Sequence, residues 1–414
     1  MKKYALAFML AAVMAVLGLQ PALAADKVVY YAYPMDYTKI YHIASFDWYN
    51  GAADYLTLVN QQGGINGYKL EMLTADHANE PQRGIELYEQ YKAKGALFFN
   101  FFNTPCVAAL IPRVLKDKVI LLTPQHGRSD ASDGTVFPYV FIPTPSYWTQ
   151  AAAQIEFIMK QEGGSLKGKK IGYNFIDTSW GREPLPIFKK LAAKLGFELM
   201  EFPYPPPGTE QTAAWTQIRR SKPDWVILWG IRHVSLTQAL RIGYPLSNIL
   251  TDGWMAEHEV ARVGNDKLKG LMSAQVVVTG RDVPIVEKIY NEVQKKGLGK
   301  GKDEKVGNIY YNQGVLSGVV FAQAVKVALE KYGEPLTGDK LKDAMETFTN
   351  WDPMGLAPPI TFTKESHEGA KGLRIAKWDG AKWVPLTGWY ETQFHPLVWD
   401  FIKEEAAKFK AEKK

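Results

Sequence analysis

The sequence predicts an α/β protein built on two open parallel sheets flanked by helices. Three observations lead there. Strand-like and helix-like runs alternate along most of the chain. The strand runs Ala96–Phe99, Val119–Leu122 and Trp225–Trp229 are short and continuously apolar, as suits strands covered on both faces. The connections between strand runs hold a helix, which parallel neighbours require. The stretch Asn50–Asp76 shows the unit most clearly. Trp48, Ala52, Tyr55, Leu56 and Val59 fall on one face of a helix. Gly63-Gly64 stops that helix, since glycine takes the left-handed cap conformation freely. Ile65-Asn66-Gly67 turns the chain, and Lys69–Thr74 alternates as a strand. With the strand Val28–Ala32 before it, this is a βαβ unit.

The start of the chain reads as a secretory signal peptide over residues 1–24. Lys2-Lys3 is its basic part, Tyr4–Leu19 its apolar core, and Ala22-Leu23-Ala24 a small-x-small cleavage site. A short membrane-anchored helix is the other reading of the same residues. No cysteine stands at the end of the apolar core to form a lipobox, so lipid attachment there is not expected, and no later stretch reaches the roughly 18 apolar residues of a membrane span. Cleavage after Ala24 and a periplasmic location are expected. About 390 residues then remain, more than one ordinary core, so two domains are expected. The formal charge of +6 is spread along the chain. Its densest part, Lys403–Lys414, reads as a solvated helix rather than a nucleic-acid patch. Cys106 is the single cysteine, so no internal disulfide is available, and a buried apolar place is expected for it.

In order, Asn79-Glu80-Pro81 opens a helix with a capping residue and a first-turn proline, and Ile85, Tyr88 and Tyr91 form its inner stripe. Thr104-Pro105 opens the next, with Val107, Leu110, Ile111 and Val114 inside. Val136–Ile142 is extended, and Pro143-Thr144-Pro145 crosses to a second series. There, helices over Trp148–Met159, Pro184–Leu195, Thr212–Arg220 and Val234–Ile242 alternate with strands over Lys170–Phe175, Phe197–Phe202, Trp225–Trp229 and Asn248–Leu250. Asp177–Gly181 is a loop, and Pro203–Gly208 a proline-rich one. Ala274–Val278 crosses back, followed by helices over Val283–Lys295, Asn308–Lys331 and Thr337–Phe348. Ile360–Thr363 alternates like a strand. Asp379-Gly380 between Leu373–Trp378 and Ala381–Leu386 is a hairpin signal.

The sequence carries no H-E-x-x-H, C-x-x-C, G-x-S-x-G or P-loop, and its seven histidines lack metal-ligand spacing. Gly297–Gly301 follows a helix in a lysine-rich stretch and reads as a mobile surface loop. No enzyme, cofactor or metal is expected, although a triad assembled from distant residues stays open at this point. Open α/β sheets bind ligands beyond the carboxyl ends of their strands, and two of them joined by several crossings can hinge shut.

The wording Asn50-Gly51-Ala52, then Gly63-Gly64-Ile65-Asn66-Gly67, then a strand ending in acidic residues, resembles the periplasmic solute-binding proteins of ABC transporters, in their branched-chain amino-acid class. The resemblance recurs along most of the mature chain. It implies a type I two-domain clamshell with three interdomain crossovers. The lobes would be residues 26–145 with 276–350, and 146–275 with 351–414. It further implies a monomer that captures an amino acid or related carboxylate and hands it to an inner-membrane ABC permease, with no stable membrane insertion and no nucleic acid. An aromatic acid or an amide or urea-type solute is the alternative. A ligand sensor and, more distantly, a secreted hydrolase are the other classes.

The same resemblance marks site residues. In the family, a serine or threonine eight residues before a proline holds the ligand carboxylate. Thr104 stands eight before Pro112, although as a plain residue it reads equally as a helix cap. Gln125 and His126 replace small residues that contact the ligand's charged ends; His126 is either a carboxylate partner or a loop histidine. Trp180, before Gly181, is similar to a tyrosine that covers the ligand, or it is a packing residue. Asp177 lies just before it and can meet an ammonium. Ile231 stands where an aromatic is common and Arg232 follows, which weakens an α-amino ligand and favours a second anionic group or an aromatic acid. Arg232 is otherwise a surface cation at a helix start. Asp252 matches the acid that pairs with the ammonium, and Trp254 lines the cleft. Among the rings of Tyr33–Trp48, Tyr41 is the one expected at the ligand's side. Many members close a disulfide whose matching places here are Asn79 and Asn103.

Overall fold

The computed structural model describes residues 27–123 and 128–412. The expected leader, residues 1–24, lies outside them, as do Gln125 and His126. The first half of the chain builds a parallel sheet from β1 (Val28–Ala32), β2 (Lys69–Leu73), β3 (Phe98–Phe99), β4 (Ile120–Leu122) and β5 (Val140–Phe141), in the order β2-β1-β3-β4-β5. Helices α1 (His42–Gln61), α2 (Pro81–Ala93) and α3 (Thr104–Asp117) connect the first four strands. The βαβ unit is thus present as expected, and Gly63 and Gly64 end α1 with positive φ.

After α4 (Tyr147–Gln161), a second sheet starts with β6 (Lys170–Ile176). Helices α5 (Ser179–Arg182) and α6 (Leu185–Leu195) lead to β7 (Glu198–Tyr204). Then come α7 (Thr212–Ser221), β8 (Trp225–Trp229), α8 (Arg232–Arg241), β9 (Ile249–Thr251), α9 (Glu257–Val263) and β10 (Met272–Gln275). The order is β12-β11-β10-β9-β8-β6-β7, with the last five strands parallel. The antiparallel closing strands are β11 (Gly372–Trp378), β12 (Trp383–Pro385) and β13 (Tyr390–Glu391). Between β10 and β11 lie α10 (Pro284–Ile289), α11 (Ile309–Tyr332) and α12 (Gly338–Met345). Three segments therefore join the two sheets, after β5, after β10 and after α12.

Four expectations change. Ile360–Thr363 is not a strand: Ile360 bridges only Trp351, and the alternation instead buries Ile360 and Phe362, the latter against Phe141 and Phe348. The strand expected to stop before Pro203 continues to Tyr204, because β7 is the sheet edge and needs no further donor there. The Gly297–Gly301 loop is pinned, since the Lys300 N–H donates to buried Asp54 Oδ1 at 2.7 Å. The lysine-rich tail belongs to α13 (His395–Glu412), whose inner face is not solvated. Phe401 stacks on Trp148 at 4.5 Å, and Phe409 packs on Phe137 at 4.6 Å beside the first sheet.

Helix α11 is buried along most of its length, consistent with apolar residues on all its faces. Its tightest partner is α1. A side chain on Gly51 would overlap the Tyr311 carbonyl, and one on Gly314 would overlap the Trp48 carbonyl. The two helices thus meet backbone to backbone through paired glycines. That crossing sets the first turn of α11, and with it Tyr310, beside the loops that follow the strands. Gly314→Ala is expected to lower unfolding free energy by about 1–3 kcal/mol. Gly388→Ala, which adds a methyl to open space at ordinary φ, should stay within about 0.5 kcal/mol. Denaturant midpoints of the two variants check this, and equal midpoints would contradict the crossing geometry.

Candidate functional site

Both sheets reverse their strand order once, between β1 and β3 and between β6 and β8. At such points the loops after adjacent strands diverge and leave a crevice. The loops at both reversals face one cleft, with about 440 Å³ of unoccupied space, part of it open to solvent. From the first sheet it is lined by Ile40, Tyr41, Ile43 and Ala44 after β1, and by Phe102, Asn103 and Thr104 after β3. From the second come Trp180, Ile231, Arg232 and Trp254. Tyr147 and Tyr310 add the first turns of α4 and α11.

Local hydrogen bonds shape these loops. Buried Asp36 accepts from the N–H groups of Thr38 (3.3 Å), Lys39 (2.7 Å) and Tyr41 (2.9 Å), which wraps the chain around its carboxylate. Asn103 Oδ1 accepts from the Cys106 N–H at 2.7 Å and so caps α3. Its amide also donates to Asn79 Oδ1, so a side-chain hydrogen bond joins the two places where the resemblance puts a disulfide. Because Asn103 is the cap, the buried Thr104 hydroxyl is not needed for capping. Gly181 lets α5 fold against β6, since a side chain there would overlap the Ile176 carbonyl. That places Trp180 against Tyr41, ring centroids 5.6 Å apart, which is a contact between residues after β1 and after β6. Trp180 Nε1 is buried without a hydrogen-bond partner. Trp254 Nε1 donates to Tyr147 Oη at 3.1 Å, and its ring lies 5.6 Å from Phe102.

One wall carries a buried charge cluster. Arg232, only 1% exposed, donates through Nη1 to both oxygens of Asp252, at 2.9 and 3.1 Å. Its Nη2 donates to Glu259 and, at 3.0 Å, to Tyr310 Oη, which in turn donates to Glu259 at 3.0 Å. His233 lies 3.2 Å from the other Glu259 oxygen. Burial pushes the Asp252 carboxyl up to about 7 although Arg232 opposes this. Burial also acts to raise Glu259, but Arg232 and His233 outweigh it and hold that carboxyl well below the usual range.

Tyr41, Thr104, Trp180, Arg232 and Trp254 therefore meet in one cleft, as the sequence suggests. Arg232 is no surface cation. Asp252 is not at the cleft surface as an ammonium partner, because both its oxygens are taken by Arg232. Asp177 stands outside, partly exposed and paired with Arg182. Gln125 and His126 lie outside the described residues. Sequence reasoning missed Phe102, Tyr147 and Tyr310. The signal available for Tyr147 was an aromatic residue in a helix's first turn soon after a crossing segment; Tyr310, far along the chain, gave none. Cys106 is buried and free, its thiol pushed up by burial to about 12. Among the described residues no group of His, Cys, Asp and Glu could hold a metal, and no helix is long and apolar enough to cross a membrane.

Residues 40–382 match the family described as periplasmic binding protein. The chain belongs to that family. It is 21% identical over 341 residues to the Leu/Ile/Val-binding protein homolog 3 of Brucella melitensis biotype 1, covering 81% of this chain and 87% of the relative. A crystal structure described as an ABC transporter permease from the Pseudomonas fluorescens group is 33% identical, with TM-score 0.84 over 94% of this chain and 98% of that one. A branched-chain amino acid ABC transporter structure from Thermus thermophilus with bound valine is 20% identical, with TM-score 0.80 over 90% and 99% of the two chains. The last likeness concerns the fold.

Three acids, Asp252 buried and Glu183 and Glu257 partly buried, set a pH dependence. Asp252, Glu183 and Glu257 are each pushed up to about 7, in every case chiefly by burial. Each contributes stability that is present below its unfolded-state value and is lost as pH rises through about 7. His258, lowered by burial to about 4, opposes this for one proton as pH falls below its ordinary value. The melting temperature is therefore expected to be higher near about pH 5.5 than near about pH 7.5, and Glu183→Gln should flatten the difference. A melting temperature that rises over this interval would contradict the assignment.

Proposed function

We propose that the protein captures a small carboxylate solute in the periplasm and delivers it to an inner-membrane ABC permease, making and breaking no bond. The single observation that carries the carboxylate is the Thr104 hydroxyl. It lies in the cleft at the amino end of α3, buried, with the capping role taken by Asn103. A helix amino terminus favours negative charge, and a hydroxyl there supplies a directed donor. Trp180, a lining residue on the facing side, has a buried Nε1 without a partner and is the second candidate donor. The Tyr41–Trp180 contact, one ring from each side, supports capture by closure over the ligand, with the closed form recognised by the permease. Export would follow cleavage after Ala24, and the lobes that close would be 26–145 with 276–350 and 146–275 with 351–414.

The test is Thr104→Ala with calorimetric titration of a carboxylate identified by thermal shift. The screening panel holds branched-chain and aromatic amino acids, aromatic carboxylates, short amides and urea. A true ligand at 100 times its dissociation constant adds about 2.7 kcal/mol of stability. Thr104→Ala should weaken binding by about 1–3 kcal/mol with the unliganded melting temperature unchanged. Unchanged affinity would remove Thr104 from the site and the carboxylate with it.

A further inference from the structure

We infer that the solute is an apolar monocarboxylate with no ammonium group, and that the Arg232 cluster is the device that excludes amino acids. This rests on the carboxylate reading above and narrows it. No acidic side chain lines the cleft among the described residues.

The two acids behind the wall are buried and already hydrogen-bonded to other groups. Both Asp252 oxygens accept from Arg232, and one also accepts from the Trp254 N–H at 3.2 Å. One Glu259 oxygen accepts from Arg232 and Tyr310, and the other faces His233. Asp177 is outside the cleft, held by Arg182. An ammonium brought into this cleft would therefore be desolvated without an anionic partner, the costly way to bury a charge.

The unpartnered buried polar atoms of the lining point the same way. Arg232 Nε and Trp180 Nε1 both carry N–H groups, so they can only donate. Donors suit a carboxylate and repel an ammonium. The lining's hydroxyls are neutral acceptors that leave an ammonium's charge uncompensated, and cation–π contact with the rings would place a cation beside the guanidinium of Arg232. The other walls are the rings of Tyr41, Phe102, Trp180 and Trp254 with Ile40 and Ile231, which match an apolar body, flat rings best of all.

Matched ligand pairs that differ only in the α-ammonium test this by calorimetric titration of the purified mature protein. The pairs are 3-phenylpropanoate against phenylalanine and 4-methylpentanoate against leucine, with 3-phenylpropanamide as the neutral control. The acids should bind at least about 100-fold tighter than their amino counterparts, and 3-phenylpropanoate should be the tighter acid. Amino acids binding as tightly as the acids, with both weakened by Thr104→Ala, would overturn this inference and leave the carboxylate reading standing. Binding of 3-phenylpropanamide equal to that of the acid, or binding of tetramethylammonium with no binding of any carboxylate, would overturn both.

Discussion

A guanidinium cannot lose its proton to escape burial, so a fully enclosed arginine dictates what surrounds it. Arg232 draws in an acid at the end of β9, an acid in α9 and the phenol at the start of α11. Three successive elements of the second sheet and one helix from much later in the chain are thereby registered against one another. Removing any one partner would leave a buried charge short of its counterpart. The same demand consumes the acids that the cleft would otherwise present. Structure and chemistry at this wall are one fact: the cluster that holds the elements together also determines that the wall offers N–H groups and not carboxylates.

The remainder of the cleft follows from two simpler constraints. Parallel strands place every following loop on one edge, and each sheet opens a crevice where its strand order reverses. The α1–α11 crossing, made possible by Gly51 and Gly314, brings a helix from late in the chain against one from the start. Short hydrogen bonds then hold the loops in shape, with Asp36 gathering the turn before Tyr41 and Asn103 capping α3. The Asn103–Asn79 hydrogen bond links the loops after β2 and β3 without a covalent tie.

Much of this was legible in the residues. The βαβ unit of Val28–Thr74, the buried strand Trp225–Trp229 and the glycine stop after α1 follow from periodicity and backbone preference, which are local. Tyr41, Thr104, Trp180, Arg232 and Trp254 were legible as candidates because they lie in the stretches that follow strands, which the architecture gathers around one cleft. The misreadings were of the other kind. Asp252 looks like an ammonium partner until Arg232, twenty residues earlier, takes both its oxygens. Ile360–Thr363 alternates like a strand, yet no neighbouring strand is there to pair with it beyond the bridge to Trp351.

The sequence by itself determined most of the elements, the parallel sheets and the family, because hydrophobic period, helix stops and recurring wording act over a few residues at a time. Only the tertiary structure decided which charges are free. Charge pairing in a buried wall depends on side chains brought together from residues 232, 252, 259 and 310, and no local pattern reports whether an acid found in a loop will face a ligand or an arginine.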